Sequence, residues 1–89
     1  MDREWYEVAM EVIKSIVALL VENPGDVDVK MKTYETKSGT RYIFEVRLNE
    51  SDIPFVIGRK GTRIKNLRSL IGSIAKKNGA AYALIKIIE

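Results

Sequence analysis

Val56-Ile57-Gly58-Arg59-Lys60-Gly61-Thr62-Arg63-Ile64-Lys65 is the stretch on which the reading of this sequence turns. Its two glycines lie three positions apart between two apolar segments of helical character. They permit a tight turn whose backbone can approach a ligand without obstruction from side chains. The turn feeds a helix N-terminus, where unpaired N–H groups and the positive end of the helix dipole favour an anion, and Arg59 and Lys60 add full positive charges at the tip. A phosphate is the guest that suits such a turn. It is not the phosphate of a P-loop, which needs G-x-x-x-x-G-K-[ST] after a strand, nor that of a dinucleotide fold, which needs G-x-G-x-x-G. Neither pattern occurs here.

Downstream of the turn, Ile64, Leu67, Ile71, Ile74 and Ala75 recur at helical spacing, and Asn78-Gly79 is a signal for the end of that helix. Residues 80–88 follow as a β-branched, alternating strand. Upstream, Pro54 suits the first turn of a short helix that Ser51 or Asp52 caps and Gly58 interrupts. Before it, Val27, Val29 and Met31, then Tyr42, Phe44, Val46 and Leu48, alternate with polar residues. This pattern predicts strands over 27–34 and 42–48, which Lys37-Ser38-Gly39-Thr40 joins as an antiparallel hairpin.

The chain opens with Trp5, Val8, Ala9, Val12, Ile13, Ile16, Leu19 and Leu20 at three- and four-residue spacing, which predicts a helix over 2–22 with one apolar stripe. Asn23-Pro24-Gly25-Asp26 stops it. The resulting α-β-β-α-α-β order gives an α+β fold, a two-layer sandwich with a three-stranded sheet and the helices on one face. With no repeat or linker in the sequence, residues 1–89 are read as a single domain.

A hydrophobic fraction of 46% with 30% charged residues lies in the ordinary globular range. Cysteine and histidine are both absent, which removes disulfides, thiolate metal sites and the commonest general base. Neither catalysis nor a cofactor is expected. Glu4, Glu7 and Glu11 share a helical face, but they read as the solvated side of the first helix and not as a metal or acid/base cluster. The net charge of +3 conceals a strong polarity: residues 1–28 carry seven acids against Arg3 and Lys14, whereas residues 53–88 carry eight bases and no acid. A one-sided basic segment is the footprint of a surface that meets polyanions. The longest apolar run, residues 16–21, is far shorter than the ~20 residues of a membrane span, and the first residues lack a basic-then-apolar export signal. The expectation is a cytoplasmic protein without membrane contact.

The motif V-I-G-x-x-G-x-x-I-K-x-L, present as Val56, Ile57, Gly58, Gly61, Ile64, Lys65 and Leu67, resembles the KH domain when set between two helices. The element order is similar to its type II, prokaryotic arrangement. Together with Leu20-Val21-Glu22-Asn23-Pro24 and a strand opening at Val27, nearly the whole chain resembles the small stand-alone bacterial KH proteins of the KhpA (YlqC) family. The resemblance implies a GXXG loop, residues 58–61, that clamps the backbone of about four single-stranded nucleotides. Gly58, Arg59, Lys60 and Gly61, with Arg63 and Lys65 close by, would then hold the RNA backbone. Val56, Ile57 and Ile64 would form an apolar floor under the bases, and an edge of the strand over 80–88 would offer backbone groups to base edges.

The family further implies an RNA chaperone or post-transcriptional regulator that forms a homodimer or pairs with a larger KH-containing protein. The rival expectation is a KH-fold interaction and dimerisation module with little RNA binding of its own, since the acid-rich first helix leaves a face free for a partner. Lys76 and Lys77 are read as helix C-terminal charges favoured by the dipole. Pro54-Phe55 departs from the family, which usually has a glycine and a polar or basic residue there. Phe55 either points into the core, the reading preferred here, or lies beside the groove where its ring could stack on a base or bury against a partner chain. Trp5 is expected to pack at the start of the first helix, and Tyr34 to face out of its strand.

Overall fold

The computed structural model describes residues 3–88 and builds them in the expected order. Helix α1 (Trp5–Leu20) is followed by strands β1 (Asp28–Thr36) and β2 (Gly39–Arg47), helices α2 (Ile53–Ile57) and α3 (Thr62–Lys77), and strand β3 (Tyr82–Ile88). The sheet runs β1-β2-β3, with β1 and β2 antiparallel and β2 and β3 parallel. A parallel pair needs a long crossover, and α2 and α3 supply it. One face of the sheet presents Val29, Phe44, Val46 and Ile85 to Ala9, Ile13 and Val17 of α1, Val56 of α2, and Ile64, Leu67 and Ile71 of α3. Trp5 closes one end of this core, edge-on to Tyr42 at 4.9 Å and to Phe44 at 6.3 Å.

The boundaries differ from the expected ones for physical reasons. The expected start of α1 at Asp2 lies outside the described residues. Its end comes earlier than predicted, with Val21 already extended. The backbone N–H groups of Glu22 and Asn23 donate instead to the Asp52 carboxylate, at 3.2 and 3.0 Å, with the Asn23 side-chain amide adding a third bond at 3.1 Å. Asp52 therefore does not cap α2, whose N-terminus has no side-chain cap. Its carboxylate, 1% exposed, ties the loop after α1 to the entry of α2. Asn49 instead caps the 3-10 turn over Glu50–Asp52, accepting from the Ser51 N–H.

Both hairpin strands run further than predicted, because the Thr36 hydroxyl donates to the Gly39 carbonyl and accepts from the Ser38 N–H, which closes the turn tightly. Strand β3 begins at Tyr82 and not at residue 80. The Ala80 N–H is bonded to the Ala75 carbonyl and the Gly79 N–H to that of Lys76, with Gly79 at φ 81°. This is the Schellman end that Asn78-Gly79 signalled. The apolar stripe of α1 is also wider than the core it covers: Val8, Val12 and Leu19 are 43, 40 and 87% exposed.

Candidate nucleic-acid interface

The turn between α2 and α3 is held by backbone geometry that few residues adopt. The Gly58 N–H closes α2 on the Pro54 carbonyl at 3.0 Å, and the Gly61 N–H returns to the Gly58 carbonyl at 3.1 Å. Three of the four loop residues have positive φ: Gly58 at 77°, Lys60 at 55° and Gly61 at 73°. Lys60 is the one non-glycine residue with positive φ among those described, a conformation that costs a side-chain-bearing residue roughly 1–2 kcal/mol. Strain of this kind persists where the surroundings enforce it, and it gathers at binding sites. Here it places the side chains of Arg59 and Lys60 at an exposed tip, immediately before a 16-residue helix whose N-terminus carries no side-chain cap. The Thr62 hydroxyl donates back to the Arg59 carbonyl at 2.8 Å and stiffens the junction.

Arg63 and Lys65, the other residues expected at the RNA backbone, lie in the first turn of α3. Lys65 is exposed on α3. Arg63 is exposed too, but its Nη1 donates to the Phe55 carbonyl, so one of its donors ties α2 to α3. The apolar floor needs correction. Val56 and Ile64 are 1 and 4% exposed and belong to the core, whereas Ile57 reaches the surface in part. Val56 and Ile64 act from below, by fixing the height of α2 against α3. The preferred core placement of Phe55 is also overturned: it is 40% exposed. Val56 takes the fully buried position of five-residue α2 and Ile53 and Ile57 pack partly against the core, and Phe55 falls off that face.

A further basic side chain joins α3 to the sheet. Arg68, on the exposed side of α3, donates through Nε to the Ile85 carbonyl of edge strand β3 at 3.2 Å. The bond ties α3 to the edge strand of the sheet. Its only sequence signal is a place at the border of the apolar stripe. By contrast, the acidic face of α1 is occupied by a surface ion network, with Arg3 bonded to Glu11 at 2.7 Å and lying 3.8 Å from Glu7. That bond holds the Glu11 carboxyl below the usual carboxylate range. No metal-binding group of three or more acidic side chains occurs among the described residues, and none of their helices is long and apolar enough to cross a membrane.

A helix-GXXG-helix unit laid over a three-stranded mixed sheet, in the order α-β-β-α-α-β, defines a type II KH domain. Residues 10–87 match the family described as the KH domain of KhpA/KhpB, and the chain belongs to that family. It is 35% identical to the RNA-binding protein KhpA of Borreliella burgdorferi over 79 residues, covering 89% of this chain and 92% of that one. The KhpA of Listeria monocytogenes is 32% identical over 79 residues, covering 89% and 97%. These relatives are named for binding and not for catalysis, and the family is not an enzyme family. Among solved structures, Era in complex with MgGDPNP and a segment of 16S ribosomal RNA matches with a TM-score of 0.64 at 19% identity. The match covers 98% of this chain but 32% of Era, so it shows a fold shared with one part of that protein.

Proposed function

We propose that this protein binds single-stranded RNA in the cytoplasm through the groove that the loop over 58–61 opens, as an RNA chaperone or post-transcriptional regulator. The observation that carries the reading is the loop itself: a strained, glycine-bounded turn that presents Arg59 and Lys60 at an uncapped helix N-terminus. The phosphates take the Arg59 and Lys60 side chains at the positive end of the α3 dipole, which sets affinity without reading sequence. Bases lie over Ile57 and toward the edge of β3, with Phe55 exposed alongside as an aromatic surface. The KhpA relatives, named RNA-binding proteins, support the same ligand class.

The test is the binding of a fluorescent RNA of about ten nucleotides, enough for two sites of roughly four nucleotides each, to wild type and to the Arg59→Asp, Lys60→Asp variant. Affinity should fall at least about tenfold. The slope of log affinity against log salt should flatten by roughly 1.4, at about 0.7 per lost phosphate contact on single strands. Equal binding by a variant whose circular dichroism is unchanged would sink the groove reading.

A second reading concerns partners, and a specific surface favours it. Between α1 and α3 lies an apolar trough of about 280 Å³ lined by Trp5, Val8, Ala9, Val12, Ile71 and Ile74. Its rim carries Val8 and Val12, both at least 40% exposed. Paired across this trough, two copies would place two RNA grooves in one particle and raise avidity through effective concentration. Sedimentation of wild type and Val12→Lys over a range of concentrations checks it. The lysine should shift the protein to monomer, and unchanged sedimentation would remove this surface from consideration.

A further inference from the structure

The face of the sheet turned away from the helices has a composition that neither the core nor the groove explains. Strand register sets out its rows. At one end, Tyr34, Arg41 and Tyr82 lie side by side across the three strands. The next row is Lys32, Ile43 and Leu84, and the next is Lys30, Glu45 and Lys86. Tyr34 and Tyr82 are 54 and 41% exposed, and the Arg41 guanidinium sits 4.6 Å from the centre of the Tyr82 ring. An open pocket of about 330 Å³ adjoins this row, lined by Thr36, Ser38, Arg41, Ala81 and Tyr82.

Exposed strand residues in an ordinary antiparallel pair are polar and of mixed charge. This face instead combines two tyrosines, an arginine lying over the ring of one of them, and a half-buried Ile43-Leu84 pair. Its charge is one-sided: Lys30, Lys32, Arg41, Arg47 and Lys86 stand against Asp28 and Glu45, and the Glu45 carboxylate, 3.4 Å from the Lys32 ammonium, offsets one of these cations. Aromatic and guanidinium planes on a flat surface stack unpaired bases, and flanking lysine and arginine side chains take the phosphates between them. A protein partner of matching apolar shape would have no use for the excess of positive charge, whereas a polyanion with exposed π-faces uses both features.

We propose that the open face of the sheet is a second site for single-stranded RNA, in which an unpaired base stacks on the Tyr34-Arg41-Tyr82 row and the adjoining phosphates lie on Lys30, Lys32 and Lys86. The site takes its ligand class from the groove reading but not its location. Because β3 is an edge strand, an RNA leaving the groove would pass that edge to reach this face and could engage both. The protein then holds a longer segment than a GXXG clamp alone.

Two probes separate the sites: an RNA of four nucleotides, the length a GXXG clamp holds, and one of about twelve nucleotides, which reaches beyond that clamp. Arg41→Glu with Tyr82→Ala should weaken the longer RNA about tenfold and leave the shorter one unchanged, while Tyr82→Phe, which keeps the ring, retains wild-type binding. Added to Arg59→Asp, Lys60→Asp, the sheet changes should abolish the residual binding of the longer RNA. Backbone amide resonances of residues 30–32, 41–43 and 82–86 should shift with the longer RNA alone.

Loss on the sheet variant with normal binding by the loop variant would leave this proposal standing and remove the groove reading. Wild-type affinity of the sheet variant for the longer RNA in both backgrounds, or no binding of that RNA by wild type, overturns the proposal. So does a sheet variant that changes the sedimentation of the protein and not its RNA affinity, which would make the face an interface between copies.

Discussion

Asp52→Ala is expected to lower the free energy of unfolding by about 3 kcal/mol, the scale set by a buried, charge-assisted hydrogen-bond acceptor whose donors lose their partner. The carboxylate is 1% exposed and accepts from two backbone N–H groups and one side-chain amide across some thirty positions of sequence. Alanine leaves those three donors in a part-buried place with no acceptor and opens a small void beneath the loop after α1. The effect should exceed anything seen at a surface ion pair: removing Lys32, 3.4 Å from Glu45 on the sheet, should cost less than about 1 kcal/mol. Asp52→Asn keeps one carbonyl oxygen and should fall between. Urea denaturation with a common m-value decides the matter. A loss under about 1 kcal/mol for the alanine variant would mean that water replaces the carboxylate and that the tie is dispensable.

This tie also shows where the sequence was legible and where it was not. The helix periodicities, the strand alternation and the glycine pair are local signals, and each lies in the expected element of the structure. The Schellman end at Asn78-Gly79 is local too, since its bonds run from Gly79 and Ala80 back to Lys76 and Ala75. Asp52 reads locally as a helix cap, the role its residue type most often takes. Its actual partners, Glu22 and Asn23, become neighbours only once the sheet has brought α1 beside α2. The Arg68 bond to Ile85 was hidden in the same way, because a helical wheel gives the direction of a side chain but not which strand lies beneath it.

The floor of the candidate groove failed for a different reason. Val56 and Ile64 satisfy the pattern of a groove and of a core equally well, and burial, which separates the two, is a property of the packed layers. Phe55 shows the reverse: its hydrophobicity suggests the core, but Ile53, Val56 and Ile57 supply the inward side of α2 and leave Phe55 outside it. Large apolar residues on protein surfaces are common, so an exposed phenylalanine is informative only through its neighbours. Here those neighbours are the loop and Arg63, bonded to the Phe55 carbonyl.

Gly58 and Gly61 are identical in the motif but should respond very differently to alanine. Gly61 lies at φ 73°, ψ 11°, in the left-handed helical region, and an added Cβ meets nothing within 4 Å. Only the backbone preference is lost, about 1 kcal/mol. Gly58 lies at φ 77°, ψ 174°, a region open almost to glycine alone. A Cβ there would come within 2.5 Å of the Arg63 Cβ and 3.0 Å of its backbone nitrogen. Those atoms belong to the first turn of α3 and cannot swing aside as a side-chain end can.

Gly58→Ala should therefore cost about 2–4 kcal/mol, combining the backbone strain with a clash that has no soft atom to absorb it. The chain can escape part of that cost only by re-aiming the loop, so RNA affinity should fall by at least about tenfold in whatever fraction stays folded, a factor equal to about 1.4 kcal/mol. Gly61→Ala should keep its fold and lose affinity by a few-fold at most. Paired urea melts and RNA titrations on the two variants read both quantities. Equal losses at the two positions would mean that close packing of Gly58 on α3 does not set the loop's aim, and that positive φ is the only demand the motif makes.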